Sequence, residues 1–391
     1  MRFSVLLPTR NRLELLRYAM QTVLRQDYAD WEIVVADNAS DEDIAGYVRS
    51  LDEPRVRYFR SDRFLPVTDN WNAALEKSEG DFIVMLGDDD CLMKGYFSTL
   101  RRVIEACGTP DAVYHSALLY AYPGVMPGFP DGYLQPYGYA AFLRSAKEPF
   151  WLDRAQARAL VRDAMDFRVS FGFNMQFALI NRTLVRALAS RGPFFQSPYP
   201  DYYAMNAVLL NAQRILVCPY PLVTIGISPK SFGFYYFNRA EREGTQFLNN
   251  AYDDAAARLW HVILPGSEMN TSWLIAMERL RLNYGSGTEL RVNYDRYRLL
   301  QLLQWGAAAS LDPQPAVGLL ELWPKLRCGE KALALILRSV AAATAWMPLR
   351  FRRILMDRML ALAKTYPSYA PERITGRYRN ILEVHESIGP V

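Results

Sequence analysis

Short, predominantly apolar runs alternate, along the first half of the chain, with longer segments whose apolar positions recur every three or four residues. The runs lie at residues 3–7, 31–36, 56–59 and 82–86. All four read as strands; the continuous apolar run 82–86 fits one buried on both faces, and 31–36 a second buried strand. Between them, residues 13–25 place Leu13, Leu16, Met20, Val23 and Leu24 at helical spacing, and 41–51 and 70–77 read as helices too. Strands alternating with helices predict an α/β fold on a mostly parallel sheet flanked by helices.

The pattern continues with helices over 94–107, 154–166, 183–190 and 202–210, and with strands over 112–120, 175–180, 215–217 and 222–225. Residues 121–150 are rich in Pro, Gly and aromatics with little periodicity, and read as a long loop or an insertion. Residues 226–233 read as a flexible, basic loop. From about 240 the chain turns to amphipathic helices, with Gly/Pro breaks at 265–266, 285–287 and 311–315. The expected organisation is an α/β domain over 1–240 and a mainly α-helical region over 241–391.

Composition narrows this picture only a little. At 391 residues, 51% hydrophobic and 22% charged, the chain can bury a sizeable core. A net charge of +4 gives no reason to expect a nucleic-acid partner. Cys91, Cys107, Cys218 and Cys328 lie far apart, without metal-ligand spacing, and read as reduced thiols of a cytoplasmic protein. His115, His261 and His385 form no ligand spacing either. The amino terminus enters a strand at once, with no secretory leader expected, and no uncharged apolar run reaches the ~18 residues of a membrane span. Arg350, Arg352, Arg353 and Arg358 flank Trp346, Leu349, Phe351, Ile354 and Leu355. Such a basic amphipathic helix either lies on the inner face of a membrane or packs on its own domain with its arginines solvated. The sequence sets no oligomeric state.

The chemistry is carried by the ends of the strands. In parallel sheets, ligands bind outside the carboxyl ends of the strands. Three such ends carry polar clusters: Pro8-Thr9, Asp37-Asn38 and Asp88-Asp89-Asp90. Three adjacent carboxylates after a buried strand repel one another, a cost that a divalent cation removes, since magnesium-type ions take one or two carboxylates plus substrate phosphates. An acidic surface turn is the alternative. Asp201, ahead of the helix at 202–210, is placed to be its N-cap.

Four pieces of sequence carry a resemblance: VLLPTRNR at 5–12, WEIVVADNASDE at 31–42, NWNAALEKSEGDFIVMLGDDD at 70–90 and PYPDYY at 198–203. In order and separation they resemble the inverting family 2 glycosyltransferases, which have the GT-A fold. The resemblance covers about 230 residues and does not extend to those after 240. It implies that Pro8, Thr9 and Arg12 lie along a nucleotide, that Asp37 bonds the base, and that Asn72 sits under the diphosphate. It makes Asp89 the metal ligand, Asp88 a ligand of the ribose or the metal, and Asp90 a group that orients acceptor or sugar. Gly87 stands where the family commonly has its first acidic residue, which leaves the frame within the triplet open by one position. Asp201 matches the catalytic base, with Pro200 where the family often has Glu. Lys230 and Ser231 lie in a loop that either closes over the diphosphate or is simply exposed.

A nucleotide-diphosphate sugar leaves as a charged diphosphate. A metal held by carboxylates neutralises that charge, and one further carboxylate deprotonates the attacking hydroxyl. The expectation is therefore a metal-dependent (Mn2+ or Mg2+) inverting glycosyltransferase of bacterial glycan or polysaccharide biosynthesis. A UDP- or dTDP-sugar is the favoured donor, and the acceptor a glycan, a lipid-linked or a small molecule. The competing classes are a sugar-nucleotidyltransferase, disfavoured because the loop after the first strand has no glycine, and a non-catalytic nucleotide-sugar-binding protein.

Overall fold

The computed structural model describes residues 1–391 except 138–139, 141–142, 144, 239, 250–253, 287–289, 312–316, 363–372, 375–376 and 390–391. The chain forms two compact units: Met1–Val161, Phe171–Ala251 and Tyr369–Val391 make the first, Arg162–Ser170 and Tyr252–Ser368 the second. The last residues thus belong with the first unit.

The apolar runs form strands β1 (Phe3–Thr9), β2 (Trp31–Asp37), β3 (Val56–Arg60) and β4 (Phe82–Met85). They pair in parallel in the order β3-β2-β1-β4, and Thr9 stands beside Asp37 in the register of β1 and β2. Helices Leu13–Leu24, Ile44–Ser50 and Val67–Glu76 connect them. Val5, Leu6, Leu7, Ile33, Val34, Val35 and Val84 are wholly buried, as continuous apolar strands between helical layers require.

The sheet then grows in a less regular way. The further strands are β5 (Cys91–Leu92), β6 (Ala112–Ala121), β7 (Tyr133–Tyr137), β8 (Phe150–Leu152), β9 (Ala178–Asn181) and β10 (Ile215–Ile227). The order continues β4-β9-β6-β10-β5, with β7 on β6 and β8 on β10. Strand β9 runs antiparallel to both its neighbours, whereas β6 and β10 are parallel.

Three expectations are corrected here. The stretch 121–150 is not one long loop: β7 lies in it and β8 begins at its end, with Pro136 opposite Leu118 of β6 and Leu134 also bridged to Ile374. The strand expected over 175–180 begins as a 3-10 turn, Met175–Phe177. The two strands expected at 215–217 and 222–225 are one, β10, whose register shifts between Cys218 and Val223 absorb Pro219 and Pro221.

At the amino-terminal ends of the strands, Gly80 turns the chain into β4. A Cβ there would lie 2.7 Å from the Ser4 hydroxyl and 2.8 Å from the Arg2 carbonyl oxygen, so no side chain fits.

The second unit is helical, with long helices Glu268–Tyr284, Tyr294–Leu311, Cys328–Thr344 and Leu349–Leu362. Leu264, Leu302, Trp305, Leu322, Leu326, Ala334 and Leu337 form a core within it. The breaks expected at 287 and 312–315 lie outside the described residues. No described helix is long and apolar enough to cross a membrane.

Candidate active site

The parallel register brings the carboxyl ends of β1, β2 and β4 to one rim, and with them most of the residues singled out in the sequence. Asp88 is buried and fully engaged: the Thr9 hydroxyl donates to one oxygen at 2.8 Å and the Arg12 guanidinium to the other at 2.7 Å. Burial pulls the Arg12 pKa down, but the charges of Asp88 and Asp89 outweigh it and hold the guanidinium above its ordinary value. Pro8 and Thr9 pair with Ala36 and Asp37, which sets the two loops side by side. Asp37 is wholly buried and accepts the Ser40 amide at 2.9 Å, the Tyr58 hydroxyl at 2.6 Å and the Arg60 guanidinium at 3.1 Å. Burial and the Asp37 carboxylate push the Tyr58 phenol up to about 12.

Asp89 and Asp90 face different ways. One Asp89 oxygen accepts the Ser228 hydroxyl at 2.7 Å. Burial, and then the Asp88 charge beside it, push the Asp89 carboxyl above the usual range against the opposing pull of Arg12. Asp90 turns into the fold and accepts the Gly226 amide at 2.8 Å, the Gln176 side-chain amide at 2.7 Å and the Gly87 amide at 2.9 Å. Burial and the Asp89 charge push it up to about 8. These bonds explain two glycines. A Cβ on Gly87 would lie 2.5 Å from an Asp90 oxygen, and one on Gly226 only 1.8 Å from the Asp89 carbonyl oxygen. Gly87 thus stands in place of an acidic residue because the Asp90 side chain folds back over it.

Asp201 is not the N-cap expected. The helix runs Pro200–Asn211, Tyr199 is its cap, and Asp201 lies in the first turn. The Asp201 carboxyl sits above the usual carboxylate range. Burial pushes it up to about 7, opposed only by the Met175 amide, which donates to it at 3.3 Å. Met175 touches Asp201 and its neighbour Gln176 touches Asp90, so the 3-10 turn ties the Asp201 helix to the acidic triplet.

The Asn72 side-chain amide donates to the Phe195 carbonyl at 2.9 Å and accepts the Phe195 amide at 3.1 Å. Together with the bond from the Thr68 hydroxyl to the Ser197 carbonyl at 2.6 Å, this fastens the segment before Asp201 to the helix Val67–Glu76. The loop expected over 226–233 is short, since β10 extends to Ile227 and a helix begins at Phe232 with Ser231 as its cap. Lys230 donates to the Asn11 carbonyl at 2.8 Å, the Lys230 carbonyl accepts from Arg12, and Phe232 packs on Tyr199 at 4.8 Å. The segment therefore lies across the β1 loop, the triplet and the Asp201 helix.

Sequence reasoning missed Ser228, Gln176, Tyr58 and Arg60. Ser228 and Gln176 sit in stretches without periodicity, and only the three-dimensional pairing with Asp89 and Asp90 marks them. Tyr58 and Arg60 are neighbours of Asp37 in the register of β2 and β3, which the alternation of parallel strands could have revealed.

Among the described residues no group of three or more His, Cys, Asp or Glu is arranged to hold a metal. The rim does fit a cation that draws most of its ligands from a substrate. The raised Asp89 carboxyl beside a second carboxylate is a concentration of negative charge that Arg12 only partly answers.

Residues 4–123 match the model of a family described as "Glycosyl transferase family 2". Over 104 residues the chain is 37% identical to the GalNAc(5)-diNAcBac-PP-undecaprenol beta-1,3-glucosyltransferase of Campylobacter jejuni, which covers 26% of this chain and 34% of that protein. Over 148 residues it is 36% identical to an Escherichia coli protein assigned as the colanic acid biosynthesis glycosyl transferase WcaA, covering 36% of this chain and 52% of the relative. The chain thus spans between a third and about half of the length of these relatives. Among solved structures, that of S. aureus TarS 1-349 in complex with UDP-GlcNAc is similar at a TM-score of 0.45 and 15% identity, over 89% of this chain and 93% of that one.

Proposed function

We propose that the protein is an inverting glycosyltransferase that moves a sugar from a nucleoside-diphosphate donor to an acceptor hydroxyl. The observation that carries this reading is Asp201: a carboxyl poised near 7, tied through one turn to a buried acidic triplet at the carboxyl ends of parallel strands. A base works best when its pKa lies near the working pH.

In the proposed reaction the acceptor oxygen attacks the anomeric carbon from the face opposite the diphosphate. The bond from that carbon to the diphosphate oxygen breaks, and Asp201 takes the acceptor's proton. Asp89, with Asp88, would hold a divalent cation, which when bound neutralises charge on the departing diphosphate. Arg12, released from Asp88 or shared with it, adds a fixed positive charge beside the diphosphate, and Lys230 lies in the segment above. Asp37 receives the base, with Tyr58 and Arg60 holding its carboxylate in place; a carboxylate there accepts the imino N–H of uracil or thymine, which favours UDP- or dTDP-sugars. Asp90 positions Gly226 and Gln176 rather than the acceptor. Asn72 and Ser231 shape the loops. The undecaprenyl diphosphate in the name of the C. jejuni relative supports a lipid-linked glycan as acceptor, and both relatives support bacterial glycan biosynthesis.

The test is a thermal-shift screen of UDP-, dTDP- and GDP-sugars with and without manganese, because a ligand that binds only the folded state raises the melting temperature by mass action. A metal-dependent rise with one donor, followed by NMR showing an inverted anomeric centre in the product, is expected. No shift with any donor overturns the reading.

A further inference from the structure

We infer that the second unit carries a surface that binds an anionic lipid bilayer, formed by the helix Leu349–Leu362 and the outward face of the helix Cys328–Thr344. This does not rest on the transferase reading. The inner side of the helix Leu349–Leu362 is marked by Met356, 1% exposed, and by Arg352, which donates to the Ser310 carbonyl at 2.8 Å. Phe351, Ile354, Leu355 and Arg358 follow at i, i+3, i+4 and i+7, one stripe on the other side. Phe351 is 44% exposed, Ile354 52% and Leu355 41%. Just before this helix, Trp346 is 82% exposed. The helix Cys328–Thr344 repeats the arrangement, with Ala334, Leu337, Ala341 and Thr344 turned inward and Leu335 and Ile336 outward. Most other large apolar residues of the described chain are buried, so this concentration of exposed ones calls for a partner.

Charge selects the partner. Residues 331–362 hold six Lys or Arg against one carboxylate, Asp357. Arg338, Arg353 and Arg358 have no ion pair among the described residues. A second copy meeting this face across a two-fold axis would set arginines against arginines. An anionic membrane surface answers both features at once: acyl chains and headgroups receive Trp346, Phe351, Ile354 and Leu355, and lipid phosphates receive the arginines. Since no described helix can cross a membrane, these helices would lie on the surface, in the interface plane.

Flotation of the full chain with vesicles tests this. Binding is expected to phosphatidylcholine vesicles containing phosphatidylglycerol, to weaken with salt, and to be slight with phosphatidylcholine alone. Neutralising Arg353→Gln or Arg358→Gln is expected to lower partitioning about fivefold each, whereas Arg353→Lys retains it. The double variant Phe351→Ser, Ile354→Ser is expected to lose flotation with an unchanged melting temperature, since both side chains are exposed. Absence of binding to anionic vesicles overturns the proposal, as does equal flotation of all variants. A parent dimer that dissociates in the serine variant without lipid binding would overturn it in favour of a second copy.

Discussion

The two ends of the same parallel strands bury carboxylates and treat them in opposite ways. At the amino-terminal rim Glu32 is fully buried, yet the Ser4 hydroxyl at 2.6 Å, the Glu79 and Gly80 amides, and Arg2 and Arg57 at 3.2 Å surround it. Burial alone would raise its pKa; these donors outweigh burial and hold it below the usual range. At the carboxyl rim Asp89, Asp90 and Asp201 are pushed up, because burial and like charge are answered only in part. A buried charge with complete compensation belongs to the fold. One with incomplete compensation is open to a proton or a cation from outside, which is why the proposed chemistry is placed at this rim.

The sharpest break in this contrast is expected at Asp201. Asp201→Asn keeps an acceptor for the Met175 amide and removes the proposed base, so turnover should fall about 10²–10⁴-fold, with donor affinity unchanged by titration calorimetry. In the parent, kcat/KM should rise with pH until Asp201 is ionised, levelling above about 7. Retained turnover in the variant would return Asp201 to a structural role. At the other rim, Glu32→Ala leaves buried donors and arginines without their carboxylate. It should cost about 3–5 kcal/mol of unfolding free energy in denaturant melts, while the turnover of the protein that remains folded stays near that of the parent.

These rims were not equally legible in the sequence. Thr9, Asp37 and Asp88 could be placed together because each ends an apolar run, and parallel runs of similar length must end on one rim. The compensation at Glu32 was invisible: a glutamate inside an apolar run shows no sign of the Ser4, Arg2 and Arg57 that answer it across two other strands. The role of Asp90 was hidden likewise, because its partners Gln176 and Gly226 lie 86 and 136 residues away. Asp201 was singled out by its motif, but the surroundings that raise its carboxyl are not legible in the sequence, because they come from packing around it and from Met175, 26 residues earlier.

Smaller effects sharpen the comparison. Asp37→Ala strands the Tyr58 hydroxyl and removes the acceptor for the base, about 1–3 kcal/mol, which should weaken donor binding about tenfold or more. Equal affinity of variant and parent would refute the assignment. The metal-free protein should lose stability from both pH directions. Glu32, whose pKa is lowered on folding, contributes stability above the unfolded value and loses it in acid. Asp90 and Asp201, whose values are raised to about 8 and about 7, contribute in acid and lose that contribution as pH climbs through those values. The smallest change expected is a gain. Asp89→Asn removes a buried charge and should stabilise the metal-free protein by about 1 kcal/mol at neutral pH, flattening the alkaline limb of a melting curve series. It should also abolish any effect of manganese on donor binding.

Strand β9 has a consequence for how the molecule is made. It enters the middle of the sheet from late in the chain, pairing Phe82 with Asn181 and Ala112 with Ile180, and among the described residues no other strand joins β4 to β6. On a ribosome, the segment matched by the family model emerges with two open sheet edges and no means of closing them. Native pairing must wait for a loop closure of about a hundred residues, which predicts slow folding of high contact order. A fragment ending at residue 123 should aggregate or remain unfolded, whereas chains released after β10 has emerged should acquire protease resistance abruptly, in one step.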